Sequence, residues 1–416
     1  RATALMTCAR TEQVSRDELE ITAPDKRRHG EALYDLLGKV FSEPGYYRAR
    51  DMCRTGYINN SHYDWNASRV GLMGERMVTH YGVWGYQMRI GKARVKAGGV
   101  GGVATDGDFR KRGLMDRTAR ASLRAMRELG YDVTLLFGID SYYHRFGYVR
   151  AWSATSYSVR LQDLPAERPA VPIRKFEARP RPDLAELYNR CYATITGTAV
   201  RPTYVRVGDP WHDVPTGYLW NGPDGKPAGY VMLSRSRSGI SCKEYCGDAE
   251  QALRVLALLG RRRRCEEVHF DTIPYDTELA KRLRRGSCRA ETNFRRCGGA
   301  MIHLLNLPAA MAKLAGELSR RLKASSISDW RGHLLIANER QQVMLEIGDE
   351  KVKLAPSGRR RHAIKGGEGV VQLLIGTDAP GEVIEANQMR VSGDARLLAE
   401  VLFPAQHPQL SAFDGY

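Results

Sequence analysis

Apolar positions along the chain repeat with two different periods, and the order of those periods outlines a series of elements. Leu33, Leu36, Leu37, Val40 and Phe41 fall on one side of a helix. Strands are predicted at 68–73 and 77–84, with Gly74, Glu75 and Arg76 as the hairpin turn. A third strand at 86–95 leads into the run Gly98-Gly99-Val100-Gly101-Gly102-Val103-Ala104-Thr105, whose glycines would let a ligand or another backbone come close. Leu114, Thr118, Ala119, Ser122, Met126 and Leu129 then recur at helical spacing before Gly130, predicting a helix over 113–129. The continuous apolar run at 132–139 suits a buried parallel strand, and a short helix follows at 140–148.

The stretch 161–183 is rich in proline and charge and reads as a linker. Beyond it come a helix at Leu184, Leu187, Tyr188 and Cys191, a strand at 229–233, a helix at 249–259 closed by Gly260, and a strand at 268–273. From 308 a helix with Met311, Leu314, Leu318 and Leu322 precedes strands at 334–337, 343–347, 352–354 and 370–375 and helices at 380–387 and 394–402. With 416 residues there is chain enough for separate cores over 1–160, 161–304 and 305–416.

Apolar content of 43% is that of a globular protein. No apolar run approaches the roughly eighteen residues of a membrane span, and no signal-peptide pattern opens the sequence, so a cytoplasmic protein is expected. Eight cysteines are scattered without a Cys-x-x-Cys pair, which argues for thiols in a reducing compartment and against zinc or any other metal. The net charge of +17 favours an anionic partner, either nucleic acid or a phosphate-rich cofactor. Nucleic acid is the poorer fit, because the arginine runs at 261–264 and 359–361 carry no interleaved aromatics to stack bases.

Candidate chemistry concentrates where the glycine run gives way to the long helix. A helix starting there aims unpaired N–H groups at Arg110, Lys111 and Arg112, a natural seat for a pyrophosphate. A Walker loop is excluded, since every Gly-Lys is followed by Val40, Ala93 or Pro227. The spacing Gly99-x-Gly101-x-x-Ala104 fits a dinucleotide fingerprint only loosely, because the strand continues through Thr105 and the helix opens some ten residues too late.

The segment Arg110-Lys111-Arg112-Gly113-Leu114-Met115 resembles the Gln/Arg-x-x-Gly-x-Gly/Ala phosphate loop of GNAT acetyltransferases, with Met115 in place of the last small residue. Tyr143-His144-Arg145-Phe146-Gly147-Tyr148 is similar to the Tyr-x-Arg-Phe-Gly-Tyr signature of the Eis-like (enhanced intracellular survival) branch of that family. The resemblance implies an α/β (α+β) fold of two tandem GNAT-type mixed-sheet domains followed by a sterol-carrier-like α+β domain. The second copy has no Arg-x-x-Gly turn at 242–249 and is expected to serve as scaffold or pocket wall.

The activity so implied is acetyl transfer from acetyl-CoA to a primary amine in a ternary complex, by a homo-oligomer. The acceptor class stays open between aminoglycoside, polyamine and lysine-like amines. Acetyl-CoA would be held by Val103, Ala104, Thr105, Arg110, Lys111, Arg112, Gly113, Leu114, Met115, Phe137 and Gly138, its pantetheine between Val103 and Thr105 on one side and Phe137 and Gly138 on the other. Tyr143 is the expected acid, a phenol of pKa about 10 set against a thiol of about 8.5. Tyr416 is the expected base through its terminal carboxylate, and Phe41 and Glu43 fall in the segment that lines the acceptor pocket in that branch. Two other readings remain: a basic nucleic-acid-binding protein, and a lipid carrier with a vestigial acetyltransferase part.

Overall fold

The computed structural model describes residues 18–43, 45–177, 181–202, 216–236 and 239–416. β1 (Leu19–Thr22) precedes α1 (Lys26–Val40), which Asp25 caps by accepting from the Arg27 and Arg28 N–H groups. α2 (Tyr46–Met52) continues directly into a π-helical turn at Cys53–Ile58. Next come β2 (Arg69–Met73), β3 (Arg76–Ile90), β4 (Ala93–Thr105), α3 (Leu114–Glu128), β5 (Val133–Gly138), a single 3-10 turn at Tyr143–Phe146 and β6 (Val149–Arg150).

The expected strand break before Tyr86 is corrected: β3 runs unbroken to Ile90 and turns at Gly91, which has φ +55°. Gly85 is there for close approach, since a Cβ on it would stand 2.5 Å from the Tyr131 hydroxyl.

β7 (Ala154–Arg160), β8 (Ile173–Glu177), α4 (Pro182–Cys191), β9 (Thr216–Asn221), β10 (Pro227–Ser236), β11 (Gly239–Cys246), α5 (Ala249–Arg263), β12 (Glu267–Asp271), α6 (Glu278–Arg285), β13 (Arg289–Asn293) and β14 (Gly299–Leu304) follow. The expected linker holds β8, an edge strand paired with β9. Nor does Gly260 end its helix. α5 continues to Arg263, and Gly260 lies against Leu161, whose Cδ1 is 2.7 Å from where a Cβ would stand. A glycine inside a helical pattern here marks tight packing, and Arg264 in the left-handed region provides the stop.

Two seven-stranded mixed sheets result, ordered β1-β2-β3-β4-β5-β14-β6 and β13-β7-β12-β11-β10-β9-β8. They exchange strands. β14, late in the chain, inserts antiparallel between β5 and β6, while β7 pairs with β12 and β13 in the other sheet.

The last third contains α7 (Leu307–Lys323), β15 (Gly332–Ala337), β16 (Gln342–Gly348), β17 (Lys351–Ala355), β18 (His362–Lys365), α8 (Val370–Ile375), α9 (Pro380–Ala386), β19 (Arg390–Ser392) and α10 (Ala395–Leu402), with sheet order β17-β16-β15-β18-β19. The strand expected at 370–375 is helix α8. All six of its residues are buried, so the run lacks the polar face that would separate the two periods, and Gly376 at φ +62° closes it as a helix. One apolar core joins this part to the first sheet: Leu314, Leu318 and Leu322 of α7 cluster with Leu345 and with Met88, Ile90, Ile302 and Leu304. At the edge of that core Glu317 accepts the Lys92 N–H at 3.2 Å and pairs with Arg320 and Arg321.

Candidate active site

β4 and β5 pair in parallel from Ala97↔Val133 only as far as Val100↔Leu136. Beyond that point β5 stays in the sheet against β14, whereas β4 bends away. The bend is a bulge: His80 pairs with Ala104 and Gly82 with Gly101, so Gly102 and Val103 both oppose Tyr81, and Gly102 has φ +54°. Buried His80 pins the bulge, its Nδ1 2.7 Å from the Gly102 carbonyl and its Nε2 2.8 Å from the Tyr63 hydroxyl. Burial lowers the imidazole pKa to about 4, so it stays neutral, donating to the carbonyl and accepting from the phenol. Neither His80 nor Tyr63 had a signal in the sequence, because their role is to hold a main-chain bend.

The wedge opens onto a cleft of about 600 Å³ lined by Val103, Thr105, Arg110 to Asp116, Tyr142, Tyr143 and Arg145, among others. Asp106 starts the turn, accepting from the Asp108 N–H and from Arg76. Phe109 lies between the guanidinium groups of Arg76 and Arg112, 4.9 and 5.0 Å from its ring centroid. Gly113 then adopts φ +71° ahead of α3, and no side chain caps the helix. An added Cβ would meet nothing within 4 Å, so glycine is required for its conformation alone. Met115, the odd residue of the motif, turns its side chain into the core and is 7% exposed, which leaves the seat to backbone N–H groups. Three exposed cations and an uncapped helix N-terminus thus converge on one cleft, a fit for a diphosphate.

Residues 23–151 match the family model described as acetyltransferase (GNAT) domain. The chain carries a GNAT acetyltransferase domain. Acetyl-CoA is accordingly the acetyl donor, and the protein is an N-acetyltransferase.

Solved structures share its whole architecture. A GCN5-related N-acetyltransferase from Anabaena variabilis superposes with TM-score 0.76 at 14% identity, covering 96% of this chain and 100% of that one. For a GCN5-related N-acetyltransferase from Kribbella flavida the values are 0.71 and 18%, over 96% and 99%. For Eis1 from Mycobacterium abscessus they are 0.65 and 16%, over 96% and 100%. At such identities the likeness is one of fold. No curated protein matches the sequence.

In this acetyltransferase Tyr143 borders the cleft beside the turn at 110–115. Its ring lies on the backbone of Gly138, where a Cβ would come within 2.6 Å of Tyr143 Cδ2. Burial, and secondarily Tyr142, push the phenol up to about 12. Arg145, quoted in the signature without a role, lines the same cleft over the Tyr142 ring at 4.0 Å and pairs with Asp116 at 3.4 Å. Phe137 is 54% exposed at the end of β5, with the Tyr416 and Trp152 rings 6.0 and 6.3 Å away. Ala104 faces the opposite way, packed into the core around Leu33 and Tyr34. Phe41 follows α1 half-buried and Glu43 is exposed; Val40 beside them borders the same cleft.

Tyr416 is brought to the wedge. Its ring covers Gly99, where a Cβ would lie 2.2 Å from Tyr416 Cδ1, and its main-chain carbon is 2.8 Å from the corresponding point on Gly101. The Tyr57 hydroxyl reaches the same point, at 2.4 Å, from the π-helical turn, its ring 4.5 Å from Trp84.

The tail leading to Tyr416 is seated by a buried knot. Arg201 Nε donates to Asp414 at 2.8 Å and its Nη1 to Glu244 at 2.8 Å, Ser411 bonds Glu244, and the guanidinium stacks 3.5 Å from the Tyr188 ring centroid. Arg201 is separated in sequence from every one of these partners, so no local pattern announced it.

Proposed function

We propose that the enzyme acetylates a primary amine by direct transfer within a complex holding both substrates. One observation carries this reading: a strand wedge, an uncapped and arginine-flanked helix start, and a protonated phenol border one continuous cleft. The acetyl donor's diphosphate fits against the N–H groups of Leu114 to Asp116 with Arg110, Lys111 and Arg112, and its pantetheine along Val103 to Thr105 opposite Phe137 and Gly138. Backbone N–H groups on the bent edge of β4 would polarise the thioester carbonyl.

Tyr143 gives its proton to the departing thiolate. With its pKa near 12 it is fully protonated at neutral pH; passing that proton to a thiolate whose thiol has a pKa of about 8.5 is uphill on its own and is offset by the far more acidic proton that the acetylated nitrogen releases. The amine's proton leaves through Tyr416: a chain ending there presents a carboxylate at Gly101, on the wedge itself. Phe41 and Glu43 belong to the acceptor side, and the acceptor is drawn from the aminoglycosides, polyamines or lysine-like amines. The second unit acts as scaffold, residues 305–416 as a sterol-carrier-like module, and the whole as a homo-oligomer.

The test is a panel of monoamines, polyamines, aminoglycosides and lysyl peptides incubated with acetyl-CoA, scored by thiol release and by mass of the acetylated product. Calorimetry with CoA runs alongside. Amine-dependent thiol release together with CoA binding supports the reading; binding without transfer to any class, or no binding, overturns it.

A further inference from the structure

Away from the cleft, two cysteines on neighbouring elements face each other. Cys191 is the last residue of α4 and is exposed, whereas Cys246 ends β11 and is buried. The Cys191 sulfur accepts at 3.3 Å the N–H of Gly247, the residue that follows Cys246. Gly247 has φ +92°, and a Cβ there would lie 2.3 Å from the Ala228 oxygen, so only glycine aims the donor this way. The two segments are stitched one residue further on, where the Tyr192 hydroxyl donates to the Tyr245 carbonyl at 2.6 Å.

We propose that Cys191 is a thiol-modification site, a nucleophilic sulfur that a peroxide converts, through Cys246, into a disulfide joining α4 to β11. A main-chain donor directed at the sulfur favours its anion. The Cys246 hydrogen bond, helped by Gly247, lowers the Cys191 thiol to about 7, while burial pushes the Cys242, Cys246 and Cys288 thiols up.

In the first step the Cys191 thiolate attacks one oxygen of hydrogen peroxide: an S–O bond forms, the O–O bond breaks, and hydroxide leaves to be protonated to water. In the second the Cys246 sulfur attacks Cys191: the S–S bond forms, the S–O bond breaks, and the departing hydroxide takes the Cys246 proton. Two thiols are oxidised and one peroxide is reduced to two waters. Cys246 stands two residues from Glu244, so the bridge would fasten the strand that holds Arg201 and the tail.

The test needs no acceptor amine and is independent of the acetyl-transfer reading. The full chain, reduced and folded at pH 7, is labelled with iodoacetamide; Cys191 should react about tenfold faster than Cys288, as its larger thiolate fraction requires. Treatment with equimolar hydrogen peroxide should give a non-reducing peptide map with Cys191 joined to Cys246. In Cys246→Ser the oxidation should stop at a sulfenic acid on Cys191 that dimedone captures, and Cys191→Ser should give neither product. Labelling of Cys191 no faster than of Cys288, or peroxide-treated chain with Cys191 and Cys246 in separate peptides, overturns the proposal.

Discussion

At the scale of single residues, the glycines of β4 decide what reaches the wedge. A Cβ on Gly101 would fall 2.4 Å from the Tyr57 hydroxyl and 2.8 Å from the main chain of Tyr416. The phenol can swing aside, but the Tyr416 backbone is held by Asp414 on Arg201. Gly101→Ala should therefore lower the amine-acetylation rate at least about tenfold and cost about 1–3 kcal/mol of stability, with CoA affinity measured by calorimetry nearly unchanged. An active, equally stable variant would show that the tail need not lie against β4.

Tyr143→Phe should cut turnover by about a hundredfold and leave CoA binding intact. Since Tyr143 must be protonated and burial holds its pKa near 12, the wild-type rate should rise with pH as the amine loses its proton and show no descending limb up to pH about 10. A descending limb at pH 9 that disappears in Tyr143→Phe would contradict the raised value. The glycine run could be singled out from the sequence because its pattern is local, and Tyr143 only through the resemblance of 143–148 to a family signature. Tyr57, His80 and Arg201 could not, since each acts across a long sequence separation on backbone or on another buried group.

At the scale of elements, α3 with its preceding turn is one device. The reversed-charge pair Arg110→Glu with Arg112→Glu faces an uncapped N-terminus and opposes phosphate directly. CoA affinity should fall at least about a hundredfold without a change in helix content by circular dichroism, and single variants should show a shallower dependence of affinity on salt than wild type. Helix α3 was legible because its polar and apolar faces are distinct. Helix α8 was not, because a six-residue run buried on every side has no period to read. Gly85 and Gly260 misled for a common reason: each is a contact point for a side chain from elsewhere, Tyr131 and Leu161, in a pattern where glycine alone suggests an end.

At the scale of the whole molecule, the parts share both strands and core. Glu317 of α7 ties the last third to the β3–β4 turn. Burial would raise its pKa, but the hydrogen bond from Arg320 and the charges of Arg321 and Arg320 prevail and hold it below the usual carboxylate value. A carboxylate lowered in the folded state contributes stability that is complete above its unfolded pKa of about 4.3 and is lost as pH falls through the folded value. Glu317→Gln should cost about 3 kcal/mol at pH 7, because Arg321 loses its buried partner. Its melting temperature should also decline less between pH 5 and 3 than that of wild type; parallel declines would mean the pair carries no linkage. The order of helices and strands was largely visible in the chain's pattern, whereas the exchange of β7 and β14 was not, since strand partners far apart leave no trace in local periodicity.

That exchange sets a schedule for biosynthesis. While β14 is still inside the ribosome, β5 lacks one of its two neighbours, so the nascent first sheet has an apolar edge exposed for as long as the next hundred and fifty or so residues take to emerge. β5, one arm of the wedge, gains its second neighbour only when Gly299–Leu304 arrives, and a chaperone holding the growing chain has its longest task over that interval.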